Sequence, residues 1–257
     1  MPGRRRPDNS GFDRIPAVPA PLPSDALRET LHSMRNAAAA AHRPVPRLLA
    51  VAKTQPAATV AALVEAWRQL APGTRPALGE NYVQEASSKH AELAATGLDD
   101  LEWHLIGHLQ SNKAREAAAL FDWVQTVDRA KLVEALARHR PAGLPPLNVL
   151  VQVNIDDEAS KHGCRPADVD ALADAVAAHE RLRLRGLMAI PAPDPDPERR
   201  REAFRRMNAC FEALRARHPG VDTLSMGMSG DYREAIAEGA TLVRIGSALF
   251  GARAPKA

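Results

Sequence analysis

The sequence predicts a single (β/α)8 barrel, an α/β fold in which eight parallel strands alternate with helices. Three observations carry this prediction: the length of 257 residues, a regular alternation of short apolar runs with longer amphipathic segments, and polar residues clustered where the apolar runs end. One barrel of about 250 residues accounts for that length, and the alternation is typical of parallel strands joined by right-handed crossovers. An open doubly wound sheet would alternate in the same way. It predicts a glycine fingerprint after the first strand, where Lys-Thr-Gln-Pro (53–56) stands instead.

The first half of the chain begins with a helix and then alternates. Ser24 can act as the N-cap of a helix over 25–42, which ends before Pro44. The short apolar run at 48–53 predicts a buried first strand, and Pro56 stands where the next helix can begin. Further strands are expected at 77–79, 103–107 and 123–127, with helices through 60–67 and over 81–95, 111–120 and 129–139.

The second half repeats the pattern with clearer strands. After a Pro/Gly loop at 141–146, the run NVLVQVNI (148–155) is the strongest strand pattern in the chain. A proline-rich loop at 191–197 precedes a long helix over 198–217. The remaining strands are expected at 182–190, 223–227 and 241–246, with helices at 167–179 and 232–237.

Residues 1–24 are predicted to be a disordered extension, and residues 25–257 form the barrel domain. The extension is rich in proline and holds four arginines against two aspartates, so it carries +2 of the net charge of +3. The rest of the chain is close to neutral, which makes a weak electrostatic footprint for nucleic acid. A solvated extension is therefore favoured over a nucleic-acid-binding arm.

Composition excludes several classes of protein. The chain is 45% hydrophobic and 25% charged, as in soluble globular proteins rather than collagen-like or wholly disordered ones. No run approaches the roughly 18 consecutive apolar residues of a membrane span, so no membrane association is expected. The two cysteines, Cys164 and Cys210, lie far apart in the sequence. Their spacing favours a reducing cytoplasm over a disulfide framework or a zinc site.

Lys53 is the first candidate for chemistry, because active sites of these barrels lie at the C-terminal ends of the strands. It closes the first predicted strand directly after an apolar run, where burial would favour the neutral amine that Schiff-base formation needs. Taken alone, a lysine whose side chain extends to water explains the same position.

The loops after strands seven and eight are rich in small residues. The segments SMGMSGD (225–231) and RIGSALFGAR (244–253) place serines and glycines at these strand ends. Small residues let backbone N–H groups approach an anion, and these two loops form the recurrent phosphate site of the fold. A phosphate site opposite an amine predicts a phosphorylated, amine-reactive ligand, and pyridoxal 5′-phosphate (PLP) has both groups.

Two other ligand patterns are not supported. The segment GHLQSNKA (107–114) lacks the second glycine of a P-loop, so a nucleoside triphosphate is not expected. His104 and His108 straddle the end of a predicted strand, and no carboxylate follows them at metal-ligand spacing. No metal site is therefore predicted.

Seven motifs stand in order between about Leu48 and Arg253. They are AVAKTQP (50–56), LGENYVQE (78–85), WHLIGHLQSNK (103–113), VNIDDEASKHG (153–163), GLMAIP (186–191), LSMGMSGDYREAI (224–236) and VRIGSALFGAR (243–253). Together they resemble the pyridoxal phosphate homeostasis protein family, whose members look like the barrel domain of alanine racemase standing alone. The resemblance implies a barrel of the alanine racemase N-terminal-domain type that binds PLP.

The resemblance also implies roles for individual residues. Lys53 would form the Schiff base with PLP, and Arg244 would face the pyridine nitrogen. Asn81 and His104 would line the pocket near the ring. The phosphate would be held by Ser225, Ser229, Gly246 and Ser247.

The function that the resemblance implies is PLP homeostasis, in which Lys53 carries the aldehyde reversibly and apo PLP-dependent enzymes are candidate recipients. The alternative is a weak PLP-dependent amino-acid racemase. Racemases of this type take a tyrosine from a second domain of a partner subunit, whereas this chain ends at Ala257. The resemblance therefore favours binding over catalysis, and a monomer over a dimer. A third interpretation, an inert barrel that serves as a scaffold for a partner, leaves the polar motifs at the strand ends unexplained.

Overall fold

The predicted (β/α)8 fold is confirmed by a computed structural model, which describes residues 23–158, 161–192 and 194–251. Eight parallel strands follow one another around a closed barrel in chain order, and the last pairs with the first. The strands are β1 (Arg47–Val51), β2 (Ala77–Glu80), β3 (Glu102–Leu105), β4 (Trp123–Val127), β5 (Leu147–Gln152), β6 (Leu182–Met188), β7 (Thr223–Met228) and β8 (Leu242–Ile245).

Helices connect the strands on the outside of the barrel. The α-helices are α1 (Pro23–Ala40), α2 (Ala57–Leu70), α3 (Val83–Ala94), α4 (Ala114–Leu120), α5 (Ala130–His139), α6 (Val169–Ala177), α7 (Pro197–Arg217), α8 (Tyr232–Ala237) and α9 (Ser247–Phe250). Short 3-10 turns, Ser111–Lys113 and Pro166–Asp168, precede α4 and α6. None of the helices in the described ranges is long and apolar enough to cross a membrane.

Successive side chains along each strand face either the surrounding helices or the barrel interior. Leu48 and Ala50 of β1 face the helices and belong to the main core, which consists mostly of Ala, Val, Leu and Ile. Leu49 faces the other way, into the barrel. It belongs to a small apolar cluster with Ala77, Ile106 and Leu242. Because the apolar clusters inside the barrel are small, polar side chains fill part of its interior.

Helix α1 covers the outside of the seam where β8 meets β1. It packs against α2, α8 and α9, and its Leu27 and Met34 are buried. The Tyr232 hydroxyl on α8 donates a hydrogen bond to Ser33 Oγ at 2.7 Å. The helix that precedes the first strand therefore packs on both sides of the point where the barrel closes.

Several element boundaries differ from the sequence expectations. Strand β5 ends at Gln152 rather than at 155, and Val153 and Ile155 are buried in the loop that follows it. Burial gives a loop the same apolar pattern as a strand, and pattern alone does not separate the two. Helix α1 begins at Pro23, so Ser24 lies inside it. Of the extension predicted at 1–24, residues 1–22 lie outside the described residues, whereas Pro23 and Ser24 belong to α1. Strand β6 stops two residues before its predicted end.

We predict that Gly186→Ala destabilises the barrel. Gly186 in β6 has φ of 142°, and a Cβ there would lie 2.0 Å from the backbone oxygen of Thr223. Strain and a backbone clash together should lower the free energy of unfolding by about 2–4 kcal/mol, measured by urea denaturation. Gly143→Ala is the matched control, since nothing lies within 4 Å of its added Cβ. Equal stability of the two variants would contradict this account of the strand.

Candidate functional site

The C-terminal ends of the strands surround a cavity of about 620 Å³. This volume is within the range of roughly 300–1,000 Å³ that small-molecule sites occupy. Its apolar wall consists of Val51, Ile106, Ile190 and Met228. Its polar wall consists of Lys53, Gln55, Asn81, Ser229, Arg244 and Ser247, with Gly230, Gly246 and Gly251 between them. The cavity therefore combines an apolar surface with an amine, a guanidinium and two hydroxyls.

Lys53 reaches the cavity from a tight turn directly after β1. The Gln55 N–H donates to the Ala52 carbonyl at 3.1 Å, which closes the turn. Thr54 lies inside it with φ of 64°. A β-branched residue is a true outlier in this left-handed region, and such strain costs on the order of 1–3 kcal/mol. The surrounding structure must hold this turn in place.

Lys89 of α3 holds the turn through a buried cluster of charges. Its ammonium donates to the Ala52 carbonyl at 2.7 Å, to Glu80 Oε1 at 2.5 Å and to Glu85 Oε1 at 3.2 Å. The same Glu85 oxygen accepts a hydrogen bond from the Thr54 N–H. The backbone on either side of Lys53 is thus tied to one helix, and this offsets the strain at Thr54.

Glu80 is an unusual member of this cluster. Burial raises the pKa of Glu80 to about 7, against the opposing effect of the hydrogen bond and charge of Lys89. The charge of Lys53 also lowers that pKa. Glu80 Oε2 is buried and has no hydrogen-bond partner in the part of the chain that the structure describes. Near neutral pH, Glu80 is therefore present in both its protonated and its ionised form, and the charge of Lys53 favours the ionised form.

Beside β1, the loops after β7 and β8 present N–H groups that make only long hydrogen bonds. Ser229 Oγ accepts from the Gly246 N–H at 3.3 Å and from the Ala248 N–H at 3.4 Å. The Met228 N–H donates to Asp231 Oδ1 at 2.6 Å, which fixes the β7 loop. Bonds of 3.3–3.4 Å are long, and an anionic oxygen would satisfy these donors better.

A chain of hydrogen bonds crosses the barrel interior beneath the cavity. Arg244 Nη1 donates to Ser225 Oγ at 2.8 Å, and Ser225 Oγ donates to Gln125 Oε1 at 2.7 Å. Gln125 Nε2 lies 2.8 Å from His104 Nδ1, and His104 Nε2 lies 2.6 Å from Glu102 Oε1. The first four of these residues are buried. The chain therefore links the cavity to the opposite end of the barrel.

The donors and acceptors of this chain fix the state of His104. A guanidinium can only donate, so the Ser225 hydroxyl must give its own hydrogen to the Gln125 oxygen. The Gln125 amide nitrogen then faces His104 Nδ1, which must accept. The imidazole proton lies on Nε2 and is donated to Glu102. His104 is accordingly neutral, with a single tautomer.

Burial and charge shift the pKa values along the chain. Burial lowers the pKa of His104, and the hydrogen bond to Glu102 does not compensate for it. Burial alone would raise the pKa of Glu102, but the His104 hydrogen bond and the Arg47 charge lower it to about 2. Burial lowers the pKa of Arg244 to about 10. Arg244 still carries a full positive charge at neutral pH.

Known proteins share this architecture and sequence. The profile of the family described as "Alanine racemase, N-terminal domain" matches residues 24–254. The pyridoxal phosphate homeostasis protein of Pseudomonas aeruginosa is 54% identical over 222 residues, which are 86% of this chain and 91% of that protein. The protein of the same name from Escherichia coli K12 is 52% identical over 206 residues, or 80% and 85% of the two chains. The chain belongs to the pyridoxal phosphate homeostasis protein family.

Solved structures agree with this family. PipY of Synechococcus elongatus, with PLP bound, superimposes with a TM-score of 0.75 at 34% identity, covering 89% of this chain and 100% of that one. Alanine racemase from Corynebacterium glutamicum has a TM-score of 0.62 at 17% identity, over 91% of this chain and 62% of that one. The second likeness shows the shared fold alone.

For this family member, the structure brings six of the eight predicted site residues together in the cavity wall. They are Lys53, Asn81, Ser229, Arg244, Gly246 and Ser247. His104 and Ser225 are not in the wall, and both side chains are fully buried inside the barrel. The expectation that His104 lines the pocket is corrected on this point, because the ring lies between Glu102 and Gln125 and stacks on Trp123 at 5.1 Å. The expectation that Ser225 holds the phosphate is corrected in the same way, because its hydroxyl accepts a hydrogen bond from Arg244 and donates one to Gln125.

The two tyrosines of the chain lie away from the cavity wall. Tyr82 is 64% exposed and precedes α3, where it borders a smaller groove with His108. Tyr232 is buried, and its hydroxyl is bonded to Ser33. Neither residue belongs to the wall of the cavity.

Sequence reasoning missed two groups of residues that support the site. Gln125 stood inside an ordinary strand pattern, and alternation along β4 could have placed it in the barrel interior. Lys89 stood on a helix four residues after Glu85, a spacing that usually indicates a solvated ion pair. What distinguishes this pair from a surface pair is a tertiary contact, since Lys89 also bonds to Glu80 at the end of strand β2.

We predict that Lys89→Met loosens the turn that carries Lys53. The substitution leaves the Glu80 and Glu85 carboxylates without their cation, so the free energy of unfolding should fall by about 3–5 kcal/mol in urea denaturation. Amide hydrogen exchange at 52–55 should also accelerate. Lys113→Met, which removes an exposed pair with Glu116, is the control and should cost less than about 1 kcal/mol. Unchanged exchange at 52–55 would show that Lys89 does not hold the turn.

We also predict a pH dependence from His104. The folded protein keeps His104 neutral, whereas the unfolded chain takes up a proton below a pKa of about 6.5. The unfolded state then binds more protons, so stability falls as the pH decreases from 7 to 5, by up to about 1.4 kcal/mol per unit. The free energy of unfolding should lose this slope in His104→Gln. Other groups, such as Glu80, contribute equally to the pH dependence of the wild type and of the variant. Equal slopes of unfolding free energy against pH for the two proteins would contradict a neutral His104.

Proposed function

We propose that this protein binds PLP reversibly through Lys53 and acts in PLP homeostasis. The observation that carries the proposal is the composition of the cavity wall. An amine on the β1 side, anion-binding groups on the β7 and β8 side and a buried guanidinium border the same space of about 620 Å³. These groups match the aldehyde, the phosphate and the pyridine nitrogen of PLP, and the apolar wall matches its ring.

Lys53 supplies the amine. When PLP is bound, its aldehyde is the electrophile, and the Nζ of Lys53 bonds to the aldehyde carbon with loss of water. The reverse reaction with water releases the intact cofactor, which is what a carrier requires. The Lys89 cluster holds the backbone of the turn, so the Lys53 side chain extends into the cavity from a fixed backbone position. Glu80, with its pKa raised to about 7 by burial, can take up a proton near this amine.

The loops after β7 and β8 supply the phosphate site. Ser229 and Ser247 offer hydroxyls, and the N–H groups of Gly246 and Ala248 converge on Ser229 Oγ. Backbone N–H groups in such loops bind phosphate oxygens. Gly246 also lies close to β1, since an added Cβ would be 3.3 Å from Val51 Cβ.

Arg244 supplies the partner for the pyridine nitrogen. Its hydrogen bonds to Ser225 and to the Ala189 carbonyl, both 2.8 Å long, orient the guanidinium at the cavity. A guanidinium donates a hydrogen bond without giving up its proton. The ring nitrogen would stay unprotonated, and an unprotonated pyridine is a weaker electron sink. This favours carriage of PLP over its use in amino-acid chemistry.

The weak racemase remains the alternative function. Racemisation of this type needs a second base, and neither Tyr82 nor Tyr232 borders the cavity. The test is solvent deuterium exchange at the α-carbon of amino acids. Exchange that depends on Lys53 would establish catalysis in addition to binding.

The relatives support the broader role. Proteins named for pyridoxal phosphate homeostasis are about half identical to this chain, and PipY binds PLP in a similar barrel. Apo PLP-dependent enzymes are the proposed recipients of the cofactor. A cytoplasmic location is part of the proposal, since both cysteines are free in the structure and disulfides are rare in cytosolic proteins.

We predict that borohydride reduction of the PLP-loaded protein attaches the cofactor to Lys53. Peptide mass mapping should find the label there, and the visible absorbance of the loaded protein should disappear in Lys53→Ala. Lys131→Ala, an exposed lysine on α5, is the matched control and should keep both signals. Labelling of another lysine, or a colourless protein in excess PLP, would overturn the proposed function.

A further inference from the structure

Three polar side chains meet at the barrel mouth, outside the cavity that we assign to PLP. His108 follows β3, Asp128 follows β4 directly, and His162 lies in the loop between β5 and α6. One ligand atom from each lies within 4.8 Å of the other two. The imidazole rings of His108 and His162 stack with their centroids 3.9 Å apart and an angle of 17° between their planes.

The spacing of these atoms is too wide for hydrogen bonding. His108 Nδ1 and Asp128 Oδ2 are 3.9 Å apart, beyond the usual limit for a hydrogen bond. Zinc bonds of about 2.0–2.2 Å place two ligand atoms of a tetrahedral site about 3.4 Å apart. The ligand atoms therefore need to close by up to about 1.4 Å, and the two rings must rotate out of their stack, which both histidines are exposed enough to do. A metal ion would then replace the stacked contact between the rings.

Asp128 is arranged to offer one oxygen. Its Oδ1 accepts from Arg129 Nη1 at 2.6 Å, while its Oδ2 faces His108. Arg129 is held in turn by the Leu109 carbonyl at 3.0 Å. The arginine fixes the carboxylate, and its charge also reduces the attraction for a cation. We therefore expect an affinity below that of four-ligand structural zinc sites.

We propose that His108, Asp128 and His162 bind a divalent transition-metal ion of the Zn²⁺ class. Two imidazole nitrogens and one carboxylate oxygen are ligands that zinc accepts, and three protein ligands leave a fourth position for water. Bound metal would join the loops after β3, β4 and β5. The sequence analysis predicted no metal site, because the three ligands come from separate loops and their spacing along the chain shows no motif.

The site is adjacent to the PLP cavity but independent of it. Asn81 borders both the main cavity and the smaller groove that His108 lines. Lys53 is not one of the ligands, so Lys53→Ala should bind Zn²⁺ as the wild type does. This variant separates the metal proposal from the PLP proposal, since either can fail without the other.

The test is calorimetric titration of the apo protein with Zn²⁺, together with the visible spectrum of bound Co²⁺. We expect a single Zn²⁺ per chain and a Co²⁺ spectrum typical of mixed nitrogen and oxygen ligation. His108→Ala and His162→Ala should each weaken Zn²⁺ binding about tenfold or more, and Asp128→Asn should weaken it as well. His32→Ala is the control, because His32 is an exposed histidine on α1, bonded to Asn36.

Two results would overturn the proposal. The first is a wild-type protein that binds no Zn²⁺. The second is binding that persists unchanged in His108→Ala and His162→Ala, or that His32→Ala weakens equally. Circular dichroism of the variants checks that the barrel is folded, so that a loss of binding reports on the ligands.

Discussion

The closure of β1 against β8 is the constraint on which the site depends. The two strands run parallel, with Leu49 opposite Arg244 and Ala50 opposite Ile245. The residues that follow both strands therefore emerge side by side at the same mouth of the barrel. Lys53 comes from the first strand and Ser247 from just beyond the last, so no local segment could bring them together. Helix α1 packs over the outside of this seam and holds it shut.

Two buried polar systems hold the site, one beside β1 and one beside β8. On the β1 side, Lys89 ties down a strained turn through two carboxylates and a carbonyl. On the β8 side, Arg244 is held by a chain of neutral groups that ends at the Glu102 carboxylate. Buried charges are costly unless they are paired and hydrogen-bonded, and here each cation has several acceptors. The amine and the guanidinium are thereby fixed relative to each other.

The sequence predicts the fold because its signals are local, namely short apolar runs that alternate with amphipathic segments. Lys53 ends an apolar run, and Ser229 and Gly246 lie in small-residue loops, so strand ends alone locate them. How deep a side chain lies within the barrel depends on contacts between distant segments, so no local sequence pattern predicts it. The resemblance implies that His104 lines the pocket and that Ser225 holds the phosphate, whereas both side chains are buried below the cavity wall. The contacts of Lys89 with Ala52 and Glu80 form because the closed barrel brings separate segments together. The contact of His108 with His162 has the same origin.

A crystal structure of the protein soaked with PLP tests the central claim most directly, because it locates all three ends of the ligand at once. The account predicts electron density continuous with Lys53 Nζ, a phosphate against the N–H groups of Gly246 and Ala248, and a ring nitrogen facing Arg244. A ligand joined to Lys53 whose phosphate points away from the β7 and β8 loops would contradict the account. So would a PLP molecule bound only in the smaller groove beside His108.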